Sequence, residues 1–477
     1  MASSHEPASV VAVTAAGLLR KRSVWAVPLV VAAVFVALMT LIYFGSIVDP
    51  AEHLHGLPVT VVDEDSGAAT TTGRLDLGEQ VVGALVHSSA VTQRLALTVT
   101  SSAGAEAEMD RGGAYATLLV PSTFTSSTLA LLGISRQPGA GDQLPTVELL
   151  GNSRAGTLGV SLADSVLGPA LAKVDAALGK DLAKTAAPGT DAALLASPFT
   201  VSEETYRPLP AHSGLGLSAF YIALLIMMCG FLGGVIINTF VDGALGYATS
   251  ELGPWWRQRL PRHITRWNTL LVKWTIAVPG TLVLTGALLL VAAGILRMDA
   301  PGWFVLWMFA WFAAAVVAMG TLVLFAALGA LGQFIAMLVF VYLALASSGG
   351  TIPLQALWGF FRFVASFEPL RQILGGVRSI LYFNGAGDAG LDRGLVLTAI
   401  GFAFWGVAGV VVTKWYDHRG LYRLRPETLE YVQVTARAYA ERGTAGAAGA
   451  AGAADADAPA VSGGDGGRGT SVAPGGE

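Results

Sequence analysis

The chain has 477 residues, of which 53% are hydrophobic and 13% charged, against about 25% charged in soluble globular proteins. An ordinary water-soluble enzyme is thereby excluded and a polytopic membrane protein implied. The formal net charge of −4 offers no basic field for nucleic acid, and the single cysteine, Cys229, excludes an intrachain disulfide and any multi-cysteine metal or redox centre.

Residues 1–22 end in Arg20, Lys21 and Arg22 and form a cytoplasmic N-terminus. A first transmembrane helix is predicted at 23–48, free of Asp, Glu, Lys and Arg, with Trp25, Tyr43 and Phe44 near its ends. Its apolar run exceeds the ~7–15 residues of a signal-peptide core and no small-residue cleavage site follows cleanly, so it is read as a retained span. Residues 49–212 suffice for one compact domain. β-Branched runs at 58–63, 95–100, 115–120 and 146–150 alternate with helical patterns at 79–87, 105–111 and 158–184, the last interrupted at Gly168-Pro169. This predicts an α/β (α+β) module that relies on its core, since it has no cysteine to staple it.

The second span, 213–241, sets Gly230 and Gly234 four apart, a small-residue spacing that lets helices approach closely. Asn238 and Asp242 continue near its inner end, placed to bond a neighbouring helix or to face headgroup water. The basic loop 242–273 carries Trp255, Trp256, Arg257, Arg259, Arg262 and Arg266. Such a loop suits an anchor on anionic membrane lipid or a dock for a cytoplasmic partner. Spans at 274–296, 301–328 and 332–350 follow, the last two hinged near Gly329 to Gln333.

Segment 351–393 reads as an outer re-entrant or amphipathic hairpin. Pro369 suits the first position of a helix, with Glu368 just ahead at the positive end of its dipole. Leu370, Ile373, Leu374, Val377 and Leu381 then make one apolar stripe, with Arg371 and Arg378 along its flank at the interface or at a polar mouth. A sixth span at 394–414 leads to a cytoplasmic segment, 415–442, with a short surface helix from Pro426 to Arg442, and to a disordered Gly/Ala-rich tail, 443–477. Arginine and lysine clusters before span one, between spans two and three and after span six fall on one side. The fold class is therefore an α-helical polytopic membrane protein with six transmembrane helices. Its N and C termini are cytoplasmic, and an extracytoplasmic α/β domain lies between helices 1 and 2, at the cell membrane.

Catalytic motifs are absent. There is no Gly-x-x-x-x-Gly-Lys-Ser/Thr loop, so the chain is not itself an ATPase, and no His-Glu-x-x-His, Gly-x-Ser-x-Gly or metal-spaced cluster occurs. No cofactor or metal is expected and no enzyme is read. His53 and His55 are taken as solvated linker residues. The span cores lack ionisable groups, which argues against proton coupling and leaves sodium coupling through carbonyls open.

The order of one span, a large α/β domain and five further spans with a hairpin before the last resembles ABC-2 type transporter membrane subunits. Within them it is similar to the YhgE/Pip (phage infection protein) group and to the DUF3533 nitrosoguanidine-resistance-like group. The matching residues are Leu57 to Gly67 (L-P-V-T-V-V-D-E-D-S-G), Gly113 to Phe124 (G-A-Y-A-T-L-L-V-P-S-T-F) and Phe367-Glu368-Pro369 through Arg378. The resemblance implies a permease exporting a lipophilic or cell-envelope compound along a path between spans two and five, energised by a separate ATPase. It makes Glu368, Pro369, Arg371 and Arg378 the candidate outer gate and Gly243 to Arg266 the loop that meets the ATPase. It further implies a homodimer or pseudo-symmetric heterodimer. The alternative is a non-transporting envelope scaffold or receptor acting through the extracytoplasmic domain, like secretion accessory or phage-receptor proteins.

Overall fold

The structure, a computed structural model, describes residues 15, 19–70, 73–131, 144–184, 192–257 and 259–424, together with 427, 430, 431, 434, 437 and 438. The helix expected at 426–442 lies largely, and the tail 443–477 wholly, outside the described residues.

Six helices are long and apolar enough to cross a membrane. They are α1 (Arg22–Ile47), α8 (Ser218–Ala244), α9 (Arg266–Ile295), α10 (Trp303–Leu328), α11 (Ala330–Ser347) and α14 (Gly387–His418). Between α1 and α8 the chain forms β1 (Leu57–Asp63), a small hairpin of β2 (Ala68–Thr70) and β3 (Gly73–Leu75), α2 (Leu77–Val86), α3 (Ser89–Thr92) and β4 (Leu95–Val99). Next come α4 (Ser102–Asp110), β5 (Ala116–Val120), α5 (Phe124–Leu131), β6 (Thr146–Gly151), α6 (Thr157–Leu182), α7 (Ala192–Ala196) and β7 (Thr200–Thr205). After α8, β8 (Ser250–Leu252) pairs with β9 (Trp255–Arg257), and after α11 stand α12 (Gly359–Ala365) and α13 (Pro369–Tyr382).

The main sheet runs β4-β1-β5-β6-β7. β4, β1 and β5 are parallel, β6 is antiparallel to β5, and β7 is parallel to β6. β1 and β5 are buried along almost their whole length, as central parallel strands covered on both faces must be, whereas β6 alternates and β7 is mostly exposed. Thr60 and Thr117, paired in register, share a hydroxyl hydrogen bond of 2.6 Å. Asp65 ties the turn after β1 to two helix starts: its carboxylate accepts from Gly78 N at 3.1 Å and from Thr125 N at 3.1 Å. Phe124, at the end of the Pro-x-x-Phe motif, is fully buried edge-on to Phe199. The sheet's core is continuous with Met39 and Ile42 of α1, Ala346 of α11 and Phe361 of α12, so this domain is packed onto helix ends.

Several boundaries differ from the sequence reading. α6 runs through Gly168-Pro169 without a break, Pro169 being held inside the helix. α9 begins at Arg266, so the basic loop is shorter than 242–273 and Lys273 is helical and buried, donating to Asn238 Oδ1 at 2.7 Å. The hinge between α10 and α11 falls at Gly329, in a positive-φ conformation (φ 62) that suits glycine. β7 and the β2–β3 hairpin have no counterpart in the sequence reading, because three-residue strands and an exposed edge strand carry no hydrophobic alternation to detect.

Gly230 and Gly234 both face α10. A Cβ on Gly230 would stand 2.5 Å from Ala314 O and 2.7 Å from Val317 Cβ, and one on Gly234 would stand 3.1 Å from Thr321 Cβ. Gly280, on α9, faces open space. Gly230→Ala is therefore expected to destabilise the α8–α10 contact by about 1–3 kcal/mol through overpacking, while Gly280→Ala is neutral or slightly stabilising. Thermal denaturation of the solubilised variants checks this; equal melting temperatures would contradict it.

Candidate functional site

Two compact units divide the chain: one comprises 1–239 with 266–416, the other 240–265 with 417–477. The candidate outer-gate residues lie in the first. Glu368 precedes Pro369 at the first turn of α13 and accepts backbone N–H bonds from Leu370 at 2.7 Å and Arg371 at 2.9 Å. Proline at this position sets the helical φ and gives up only an N–H that the first turn leaves unpaired. The sequence reading makes α13 part of a re-entrant or amphipathic hairpin with one apolar stripe and its arginines at the interface or at a polar mouth. Instead Leu370, Ile373 and Val377 are buried, and so are Gln372, Gly376, Ser379 and Tyr382 on the other faces. Its C-terminal carbonyl, Tyr382 O, accepts from Arg154 Nη1 at 3.1 Å, and the Tyr382 hydroxyl lies 2.8 Å from Ser218 Oγ. Both ends of α13 thus meet a charge of the sign its dipole favours, Glu368 from its own cap and Arg154 from the sheet domain.

Burial is the main reason the Glu368 carboxyl is pushed up to about 7, against the opposing pull of the two N–H bonds. Burial also draws Arg371 down to about 10 and lowers Arg378, whose Nη2 donates to Gly350 O at 3.1 Å. Two cavities flank this helix. An apolar one of about 480 Å³ lies among α10, α11, α12, α13 and α14, lined by Val317, Phe340, Leu343, Phe404 and Trp405 together with Glu368 and Gln372. Val339, Phe340 and Leu343 enter it from a π-helical stretch of α11, Leu338–Leu343; such local widenings recur at functional sites. A smaller one, about 120 Å³, lies between α13 and the sheet domain and is lined by arginines.

The basic loop is built differently. β8 and β9 form a hairpin in which Trp256 pairs with Glu251 and Arg257 with Ser250, turned at Gly253 (φ +60). Trp255 is 71% exposed, and Arg259 and Arg262 are exposed. Arg266 belongs to α9 and stacks 4.9 Å over the Tyr416 ring. In the second unit, Asp242 is buried and takes both carboxylate oxygens to Arg423, at 2.5 and 2.9 Å, while Arg423 lies 4.5 Å over the Tyr247 ring. No group of three or more metal-ligating side chains occurs among the described residues.

Sequence reasoning missed Arg154, Arg393, Gln372 and Tyr115 as members of the α13 surroundings. Gln372 lies on α13 itself and the other three come from separate elements, of which only the Tyr115 motif carried any local signal. Together the six apolar helices and the packed sheet domain define a multi-pass membrane protein. The chain matches DUF3533, a family described as a protein of unknown function, over residues 28–405 and belongs to it. No curated protein and no solved structure matched it.

The two cap oxygens generate a direct test. Glu368→Ala is expected to cost about 1–3 kcal/mol by leaving buried N–H groups unpaired, while Glu368→Gln keeps one acceptor and loses less. Because the carboxyl is raised, its contribution is fully present below about 4.5 and is lost as pH rises through about 7. Melting temperatures of wild type measured from pH 4 to 8 should fall across that window, and in Glu368→Gln the fall should be smaller, the remainder including Asp164, whose carboxyl burial raises to about 6.

Proposed function

We propose that the chain is an ABC-2-like permease subunit that exports a lipophilic or cell-envelope compound and is energised by a separate ATPase. The apolar cavity of about 480 Å³ among α10, α11, α12, α13 and α14 supports this reading best. A volume of that size with an almost wholly apolar wall suits the hydrocarbon part of an amphiphile. On this reading energy is supplied by another chain, since the sequence has no phosphate loop of its own. In this reading the sheet domain is extracytoplasmic, the arginine-bearing loop and both termini are cytoplasmic, and α13 with Glu368 and Pro369 forms the outer gate. α1 and α14, which have few fully buried residues, turn their exposed faces to lipid or to a second membrane subunit of the same or a similar kind.

A second reading rests on a groove of about 680 Å³ between α2, α3 and α6 of the sheet domain, lined by Gln80, Arg94, Lys173 and Asp181 among apolar residues. A scaffold or receptor would hold its partner there. Efflux of fluorescent lipophilic probes from cells that express the chain with and without candidate ATPases separates the two. A permease loses export when Phe340→Trp fills the apolar cavity and keeps it when Ala84→Arg obstructs the groove. The opposite pattern, or export indifferent to both changes, would refute the permease.

A further inference from the structure

The smaller cavity, between the sheet domain and α13, has a composition that packing alone does not explain. It encloses about 120 Å³, far above the ~10–15 Å³ that seats one water molecule. Arg371, Arg378 and Arg393 line it from the hairpin and the start of α14, Arg111 and Tyr115 line it from the sheet domain, and no carboxylate is among its walls.

The charge balance of those walls is one-sided. Arg111 is paired with Glu108, its Nε lying 3.0 Å from Oε2. Arg378 gives one N–H to Gly350 O, and Arg393 gives Nε to Gln372 Oε1 at 3.1 Å and Nη2 to Ser366 O at 3.4 Å. The Arg371 guanidinium has no hydrogen-bond acceptor among the described residues, although the same residue's backbone N–H is held by Glu368. Glu368 spends both oxygens on backbone N–H groups and does not pair with it. Each guanidinium carries five N–H donors and no acceptor, so donors and positive charge converge on one space. Like charges brought close together repel; Arg371 and Arg378 are half-buried, while Arg111 and Arg393 reach solvent. A tetrahedral oxyanion supplies the missing acceptors and charge, and arginine binds it bidentately.

The walls are shaped for this. Gly112 has a positive φ (+68), and a Cβ there would stand 3.0 Å from Phe383. A Cβ on Gly390 (φ +120) would meet Gly375 O at 3.0 Å, so the two backbones pack closely at this wall. Gln372 borders both this cavity and the apolar one, which places a cationic chamber beside a hydrocarbon-sized one.

We infer that the cavity lined by Arg371, Arg378 and Arg393 is a binding site for a phosphate-type oxyanion, carried on a lipid head group or as free phosphate. The site is independent of whether the chain transports, since binding can be read without export. The test uses the purified full-length protein. One arm titrates inorganic phosphate against chloride at equal ionic strength and follows ³¹P line broadening. The other compares nanodiscs of phosphatidic acid with nanodiscs of phosphatidylcholine by lipid retention in native mass spectrometry.

Broadening by free phosphate, or selective retention of phosphatidic acid, is expected, and which arm responds identifies the source. Arg371→Gln and Arg393→Gln are each expected to weaken that binding at least tenfold, and Arg111→Gln by less because Glu108 already neutralises it. If one hairpin variant does not fold, the other carries the comparison. Wild type that prefers neither phosphate over chloride nor phosphatidic acid over phosphatidylcholine would overturn the assignment, as would unchanged affinity in whichever hairpin variant folds. Success here with failure of the efflux test would leave a lipid or phosphate receptor, so the two results are separable.

Discussion

A helix that starts inside a protein leaves N–H groups that water cannot reach, and each one needs an acceptor. At the start of α13 that acceptor is the Glu368 carboxylate, bonded to Leu370 and Arg371. At the other end Arg154 reaches across from the sheet domain to Tyr382 O. These two contacts answer the ends of a helix whose Leu370, Ile373, Leu374 and Val377 are buried in the helical core, and α13 is the wall common to both cavities.

The hairpin before the last span shows how irregular backbone is tolerated beside apolar helices: its polar groups are answered by protein. Gln372 donates to Ala365 O, Ser379 to Ala386 O and Arg378 to Gly350 O. These bonds fasten the segment between α11 and α14 to itself and to the turn at Gly349-Gly350 that follows α11. Among buried side-chain polar atoms of the described residues, only Gln355 Oε1 lacks a partner. The helix pairs around the hairpin follow a similar economy of shape, with glycine admitting α10 against α8, and with Trp307 and Trp311 of α10 donating to Leu282 O and Val278 O of α9.

Local signals made much of this visible in advance. Uninterrupted apolar runs announce six helices because a hydrocarbon layer demands length and apolarity from every span. β1, β4, β5 and β6 were legible from β-branched runs, and the start of α13 from Glu368-Pro369. The interruption expected at Gly168-Pro169 fails because tertiary packing of Leu167 and Leu171 holds α6 straight through a local breaker. The stripe on α13 was read as one-sided because apolar spacing reports which residues prefer burial. It cannot report that Gln372, Ser379 and Arg378 are covered too.

What the sequence by itself determined is the membrane class, the number of long apolar helices and the presence of an α/β insertion, since these follow from composition and period along the chain. Only the tertiary structure decided that Tyr115, Arg371, Arg378 and Arg393 share one cavity and that Asp242 meets Arg423. Those groups are separated by tens to hundreds of residues. Their convergence is a property of how helices and sheet pack, and a one-dimensional pattern holds no record of it.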